Sequence, residues 1–456
     1  MATTTARKTS TKSSPVRIAV IGGGPKAAAI AAKAKVLRDL GKANIQVTIF
    51  EAEHIGAFWS GRQTGYTDGE QRLCTIAERD VGYPYNSMFG SEVDTAMASN
   101  FSWGTFLHGR TPGYEHGYST WVDAGRKPPR HKHFADYLQW VIDESEASVV
   151  YERVTALDKE TDGKHWRIDS RKADGSASTH RTRFNAVVVT GPGPANRLAI
   201  KPAKGAIVPE SRIFNGSSFW SRRNEVLEAL DTATKENSYS NNPIVIVGAG
   251  GTAAAILSWL VANGARDLPI QMVAGQPTLY TRVDSVFENR LFTDDEQWLT
   301  LSSEMRKAFF DRLNRGVVWA TVMDHVSSAT NFTMVVGRAQ TIRVSKSGDI
   351  ELSVKRDDGV TVGLRPSMLI DASGFNAWWF LSLVQGLPAL PAAKSKRAKQ
   401  RDQWQINMGN GLQLAGQPWD TYPPLHAPML SSNLGPGFGS LMVLGAMADR
   451  VIKAHT

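Results

Sequence analysis

The chain has 456 residues, 42% hydrophobic and 21% charged, and 52 Lys and Arg against 43 Asp and Glu leave a formal net charge of +9. That length allows two or three domains with cores of their own, and the balance is that of an ordinary globular protein rather than a disordered one. A single cysteine, Cys74, excludes an internal disulfide and a redox-active cysteine pair; no apolar run reaches the roughly 18 residues of a membrane span; and basic residues spread along the chain speak for phosphorylated small ligands rather than nucleic acid.

Residues 1–15 are basic and rich in Thr and Ser but lack the apolar core of a secretory signal, so a disordered tail in a cytoplasmic, reducing setting is expected. Order begins at Val16. Val16, Ile18, Ala19, Val20 and Ile21 give the near-continuous apolar run of a parallel strand, and GGGPKA (Gly22–Ala27) then opens an Ala/Lys-rich helix. Gly22 permits the tight turn, Gly24 lets a pyrophosphate approach the backbone, and Ala27 stands where a small residue packs helix on sheet, with Pro25 and Lys26 between them. The helix offers its N-terminus to phosphate. A second strand, Ile45–Phe50, ends in Glu51, an acid placed to hold the diol of an adenosine ribose. Alone, such a fingerprint is also compatible with a plain tight turn.

The Gly- and aromatic-rich stretch His54–Tyr85 has little helical or strand period and reads as a functional loop. Within it, Phe58 and Trp59 either wall the ring of a bound cofactor or pack internally. Arg79 either grips a carboxylate as a bidentate fork or pairs with its neighbour Asp80. KHFADYLQWVIDE then places Phe134, Tyr137, Leu138 and Val141 on one helical face. His131 and His133 at its start have no third ligand candidate nearby, so no metal site is expected.

Pro243–Leu260 repeats the strand, turn and helix, with Gly248, Gly250 and Ala253 in the fingerprint positions and Gly251 and Thr252 inside the turn. Each copy is followed by short alternating strands that close on a hydrophobic strand and a Gly turn, Arg153–Gly193 after the first and Arg338–Gly374 after the second. This is the plan of two-dinucleotide flavoproteins: α/β, with two Rossmann-like domains, one for FAD and one, inserted in it, for a nicotinamide cofactor. The divisions expected are 16–208 and 364–456 for FAD, 209–275 and 330–363 for the nicotinamide cofactor, and 276–329 for a small, mainly helical substrate region. Disulfide reductases share the plan but need the cysteine pair this chain lacks.

In the second unit the strand Pro269–Ala274 ends without an acid. A carboxylate there favours NAD and repels a 2′-phosphate, so NADPH is expected, with Arg282 either pairing that phosphate or standing as an exposed loop arginine. KSKRAKQR (Lys394–Arg401) reads as a solvated helix face or loop. Near the C-terminus, SSNLGPGFGSLMVLGAMADRVI gives a Gly/Pro turn and an apolar helix from Leu441; Gly437 and Phe438 are the expected flavin contacts, while packing of that helix on the sheet is the plain alternative.

Jointly, the stretches GGGPKAAAIAAKAKVLRDLG, YTDGEQRLCTIAERDVGYPY, HFADYLQWV, VVTGPG, GGTAAA, LYTRVDSVFENRLFTD, NRGVVWATV and GPGFGSL resemble the flavin-dependent N-hydroxylating monooxygenases that oxidise the side-chain amine of lysine or ornithine in siderophore biosynthesis. The mycobactin-type lysine hydroxylases are resembled most. The resemblance puts the FAD turn on Gly22–Ala27, the NADPH turn on Gly248–Ala253, and substrate-binding asparagines on Asn289 (ENRLF) and Asn314 (NRGVV). It puts the carboxylate-binding basic residue on Arg79, where the family's usual residue is lysine. IFNGSSFW lacks the His of the FxGxxxHxxxW-type fingerprint, which argues against a Baeyer–Villiger or generic flavin monooxygenase.

The implied reaction is N-hydroxylation of L-lysine through a C4a-hydroperoxyflavin, using FAD, NADPH and O₂, with no catalytic side chain. L-Ornithine, another primary amine, or another NADPH-dependent flavin monooxygenase reaction are the alternatives. A nucleotide-bound redox sensor without turnover is disfavoured by two intact turns, and a homo-oligomer is the family expectation.

Overall fold

The computed structural model describes residues 14–62, 65–109, 117–235, 242–282, 285–314 and 317–456. Strands β1 (Val16–Ile21), β2 (Ile45–Phe50), β3 (Ser148–Val150) and β4 (Ala186–Val189) belong to one five-stranded sheet; β5 (Ile213–Asn215), β6 (Ile244–Val247), β7 (Ile270–Ala274), β8 (Phe332–Val336) and β9 (Met368–Asp371) form a second; β10 (Leu425–His426) returns to the first. The orders are β10-β4-β1-β2-β3 and β8-β7-β6-β9-β5, and every neighbouring pair is parallel. The leading strand of each fingerprint therefore holds the same central place, β1 between β2 and β4, and β6 between β7 and β9. The expected α/β plan with an internal repeat is the one the chain adopts.

Composition follows from burial on two faces. In the second sheet Ile244, Ile246, Met272 and Ile370 pack into a helical core with Ile256 and Leu257, while Val245, Val247, Val273 and Leu369 pack on the other side against Ile342, Val344 and Leu352. Strands covered on both sides read as unbroken apolar runs, which is why IVIV and AVVV show no alternation. The covering antiparallel layers are the paired tails. Arg153–Lys159, Trp166–Arg171 and Ala177–Thr179 form one; Arg338–Val344, Ile350–Lys355 and Thr361–Leu364 form the other, with Ala199–Pro202 alongside.

Two segments sit differently from the divisions read in the sequence. β9 lies in the stretch assigned to the FAD unit but completes the second sheet, and Ala199–Pro202, assigned to the same unit, pairs with Arg338–Val344. A short apolar strand before a Gly turn carries no mark of which sheet it will join, because that is decided by pairing with distant strands.

Six helices position the site: α1 (Pro25–Asp39), α2 (His131–Glu144), α3 (Gly251–Leu260), α4 (Val286–Thr293), α5 (Ser303–Asn314) and α6 (Leu444–Lys453). Proline at the first position and a run of alanines favour α1 as a helix, and it is buried along most of its length. Its Lys33 forms an ion pair with Asp449 of α6 at 2.8 Å, both side chains almost wholly buried. The predicted face of α2, with Phe134, Tyr137, Leu138 and Val141, is buried. The C-terminal helix begins at Leu444 rather than Leu441, because Gly437 and Gly439 leave the preceding residues in a turn, where Ser440 Oγ accepts the Met442 N–H at 3.1 Å. Lys394–Ile406 is a helix whose Trp404 is buried and whose charged residues stay largely in solvent. Among the described residues no helix is long and apolar enough to cross a membrane.

Candidate active site

The turn after β1 builds the first cleft. Gly22 has φ +101°, and a Cβ there would lie 2.7 Å from Thr190 Oγ1, itself bonded to the Ile21 carbonyl at 2.9 Å. Only glycine suits that conformation. Gly24, in contrast, has nothing within 4 Å of its Cβ position, and α1 starts there with neither a side-chain cap nor an acid in its first turn. Its free N–H groups therefore remain available to an anion. Glu51 is buried at the end of β2, one carboxylate oxygen accepting the Gly23 N–H at 2.6 Å and the other the Glu53 N–H at 3.0 Å. Two chambers of about 460 and 360 Å³ share Gly22, Glu51, Ala57, Phe58, Gly191 and Pro192 as lining, in the size range of cofactor sites.

The second cleft repeats the device. Gly248 has φ +106°, with the Ala372 carbonyl 2.4 Å from a hypothetical Cβ; Gly250 and Gly251 are open; and α3 starts uncapped at Gly251. A space of about 580 Å³ lies over this turn, bounded by residues 248–252, 273–276, 337–339 and 372–375. Ala253 is fully buried and packs α3 on the sheet, as its place in the fingerprint implies. β7 ends at Ala274, and where an acid would follow it the chain has Gly275 and Gln276, with Arg338 lining the same end of the cleft. The Gly337 N–H donates to the Ala274 carbonyl at 2.7 Å and fixes the two strand ends together. Arg282 ends a short strand, Tyr280–Arg282, and its side chain lies outside the described residues.

An aromatic contact joins the two clefts. Tyr66 stacks on Phe58 with ring centroids 4.7 Å apart and meets Phe375 edge-on at 4.9 Å; Phe58 and Tyr66 line the first cleft and Phe375 the second. Among the described residues the Tyr66 hydroxyl is buried without a hydrogen-bond partner, and burial raises its pKa. Trp59 lines the first cleft and also packs edge-on against Tyr66, His131 and Phe134, so internal packing holds for this residue at the edge of the cavity.

The C-terminal turn closes the first cleft with Gly439, Ser440 and Leu441. The anticipated pair Gly437 and Phe438 is not among the residues that line the two chambers: Gly437 backs onto the Phe292 carbonyl of α4, and Phe438 is buried. An apolar ring turns inward, and Gly439, Ser440 and Leu441 beside it line the cavity. Lys26 reaches this turn, donating to the Gly439 carbonyl at 3.0 Å. Arg79 reaches it too, its guanidinium 3.3 Å from Met442 Sδ and 3.2 Å from Thr75 Oγ1. Asp80 is engaged by the Trp103 and Gly82 N–H groups and the Tyr85 hydroxyl, and burial lifts its pKa to about 6.

Asn289 lies on α4 one turn before Phe292, so its helix abuts the same turn; Glu288 of that helix forms an ion pair with Arg312 of α5. Asn314 ends α5, and its side chain lies outside the described residues. Tyr66, Thr190, Arg338 and Phe375 had no flag in the sequence: each becomes meaningful only beside a residue more than 60 positions away.

Open glycine faces, uncapped helix starts and a buried hydroxyl without a partner fit two bound dinucleotides. A family model described as L-lysine 6-monooxygenase/L-ornithine 5-monooxygenase matches residues 96–368. The chain is 31% identical over 450 residues to L-lysine N6-monooxygenase MbtG of Mycobacterium tuberculosis H37Rv, spanning 96% of this chain and 94% of that protein. It belongs to the lysine/ornithine monooxygenase family. Its relative from Mycobacterium sp. strain MCS, also an L-lysine N6-monooxygenase MbtG, is 32% identical over 447 residues, with the same shares of the two chains. Among solved structures, lysine monooxygenase NbtG from Nocardia farcinica is similar with a TM-score of 0.72 at 28% identity, over 96% of this chain and 99% of that one. Ornithine N-hydroxylase KtzI from Kutzneria sp. 744 shares the fold, with a TM-score of 0.68 at 16% identity over 97% and 99%. Family membership makes the chain a flavin-dependent N-monooxygenase with the two-dinucleotide architecture.

Proposed function

We propose that the chain hydroxylates the side-chain amine of L-lysine, with FAD, NADPH and O₂, to supply a hydroxamate precursor for siderophore biosynthesis. The observation that carries this reading is the pair of matched dinucleotide clefts meeting at Tyr66 and Phe375, in a chain alike over almost its whole length to lysine N6-monooxygenases.

Gly22, Gly24, Pro25, Lys26 and Ala27 would hold FAD at the start of α1, with Glu51 at the ribose and Phe58 and Trp59 beside the ring. Gly248, Gly250, Gly251, Thr252 and Ala253 would hold NADPH, with Arg338 joining Arg282 as a candidate for its 2′-phosphate. Bound FAD, once reduced by NADPH, activates O₂ and supplies the oxygen atom that the amine receives. The chain's own work is positioning and exclusion of water. Asn289, Asn314 and Arg79 would grip the amino-acid end of the substrate, far from the reacting nitrogen. The lysine amine must also arrive without its proton; with a free pKa near 10.4, neutrality at pH 7 costs about 4 to 5 kcal/mol, part of which a dry pocket offsets. A homo-oligomer accords with this reading, and a cytoplasmic setting accords with a chain whose single cysteine, Cys74, has no second cysteine to bond with.

A panel of L-lysine, L-ornithine and a diamine, scored by hydroxylamine formed per NADPH consumed, tests the assignment. Lysine should give the highest ratio; a higher ratio with ornithine would move the substrate while keeping the reaction.

A further inference from the structure

Lys26 is the second residue of α1, a position where a cation opposes the positive end of the helix dipole. It is nevertheless 6% exposed, and its Nζ donates to one neutral acceptor, the Gly439 carbonyl at 3.0 Å. An ammonium carries three donors, and among the described residues no carboxylate forms an ion pair with this one. Lys33, two turns along the same helix, shows the usual solution: equally buried, it is paired with Asp449, which also accepts from Ser87 Oγ and the Met88 N–H. A buried charge with no opposite charge is costly, and such groups survive where something supplies the partner. Lys26 lines the first cleft beside Gly22, Gly23 and Gly24, on the open face of the turn.

We propose that Lys26 is the built-in counter-charge for the pyrophosphate of FAD, so that cofactor binding completes an ion pair which the folded chain leaves open. This rests on the FAD reading above and goes beyond the backbone cradle of the glycine turn, which needs no side-chain charge. The groups around it leave the role vacant. Glu51 at the end of β2 is engaged by the Gly23 and Glu53 N–H groups. Residues 437–441 carry no ionisable side chain. On α6, Asp449 is held by Lys33 and Arg450 pairs with Asp295; on α2, Tyr137 donates to the Phe101 carbonyl and accepts the Val81 N–H.

A pH dependence follows. Burial alone draws the Lys26 pKa down to about 8, and an adjacent dianion raises it again. Above pH 8 the empty site has released its proton and must recover it when FAD binds, so affinity falls as pH rises.

The test is FAD binding to the flavin-stripped full-length chain between pH 7 and 9.5, by flavin fluorescence and by calorimetry in two buffers of different ionisation enthalpy. Wild type should lose up to about tenfold in affinity per pH unit above 8 and take up close to one proton at pH 9. Lys26→Met should bind FAD, and ADP as a pyrophosphate probe, about ten- to a hundredfold more weakly at pH 7, with the steep pH dependence gone. Proton uptake by the wild type keeps the proposal testable even if that variant folds poorly. FAD binding without proton uptake would overturn it, as would a Lys26→Met chain with wild-type affinity, or one that loses riboflavin but keeps ADP. A chain that binds no flavin at all would overturn the functional reading as well.

Discussion

The ring of Tyr66 meets that of Phe375 at 4.9 Å and 78°, and each ring lines a different cleft. The two rings together form a wall between the cleft where a flavin would lie and the cleft where a nicotinamide would. Tyr66→Phe keeps the wall and removes a hydroxyl that has no partner among the described residues, so its melting temperature should stay close to wild type. Tyr66→Ala opens the wall. It should raise the share of NADPH lost to H₂O₂ severalfold while leaving the lysine KM within about twofold, measured by peroxide and hydroxylamine assays side by side. Equal coupling in the Ala variant and the wild type would remove Tyr66 from the site.

Arg338 lines the same end of the second cleft as Gly275 and Gln276, where an acid after β7 would repel a 2′-phosphate. Arg338→Ala should weaken NADPH by about tenfold to a hundredfold in anaerobic flavin reduction and leave NADH nearly unchanged, the loss of one charge-assisted phosphate contact. Arg282→Ala, measured in parallel, separates the two arginines; an NADPH-selective loss in Arg282→Ala alone would return the role to Arg282.

Asn289 lies on the helix whose Phe292 carbonyl backs Gly437. Asn289→Ala should raise the lysine KM about tenfold and lower coupling, with anaerobic flavin reduction by NADPH unchanged. Slower reduction with unaltered lysine dependence would place Asn289 at the nicotinamide instead.

His426 and His455 form a nitrogen-to-nitrogen contact of 2.9 Å, with the other His426 nitrogen 2.6 Å from the Gly411 carbonyl. Burial holds His426 down to about 3, aided by His455, and holds His455 to about 4. Folded values below the unfolded value near 6.5 mean that this stability is complete above pH 6.5 and is lost progressively as pH falls toward 4 and 3. Asp80, lifted to about 6, works in the opposite sense between about pH 4 and 6, so the comparison with a variant isolates the histidines. His455→Phe should lose less melting temperature between pH 7 and 5 than wild type; parallel losses would contradict the assignment.

Local periodic features were legible in the sequence. Gly22 and Gly248 announce turns that no other residue suits, and the face of α2 follows from 3.6-residue spacing. Long-range pairing was not. β9 resembles β4 as a string of residues, yet joins the other sheet, and Arg338 gains meaning only because β8 pairs with β7 and brings it beside Ala274. The C-terminal turn shows the same limit at short range: GPGFGSL marks a turn, but which of its residues face the cleft depends on Phe292 and Val443 packing behind Gly437.

Oxygen transfer to the lysine side chain is the reaction on which the proposed roles depend. The direct measurement is mass spectrometry of the product formed from L-lysine, FAD and NADPH under ¹⁸O₂. The expected product is N6-hydroxylysine carrying one ¹⁸O atom, formed in step with NADPH consumption. Consumption of NADPH that yields only labelled H₂O₂, with lysine recovered unchanged, would contradict it.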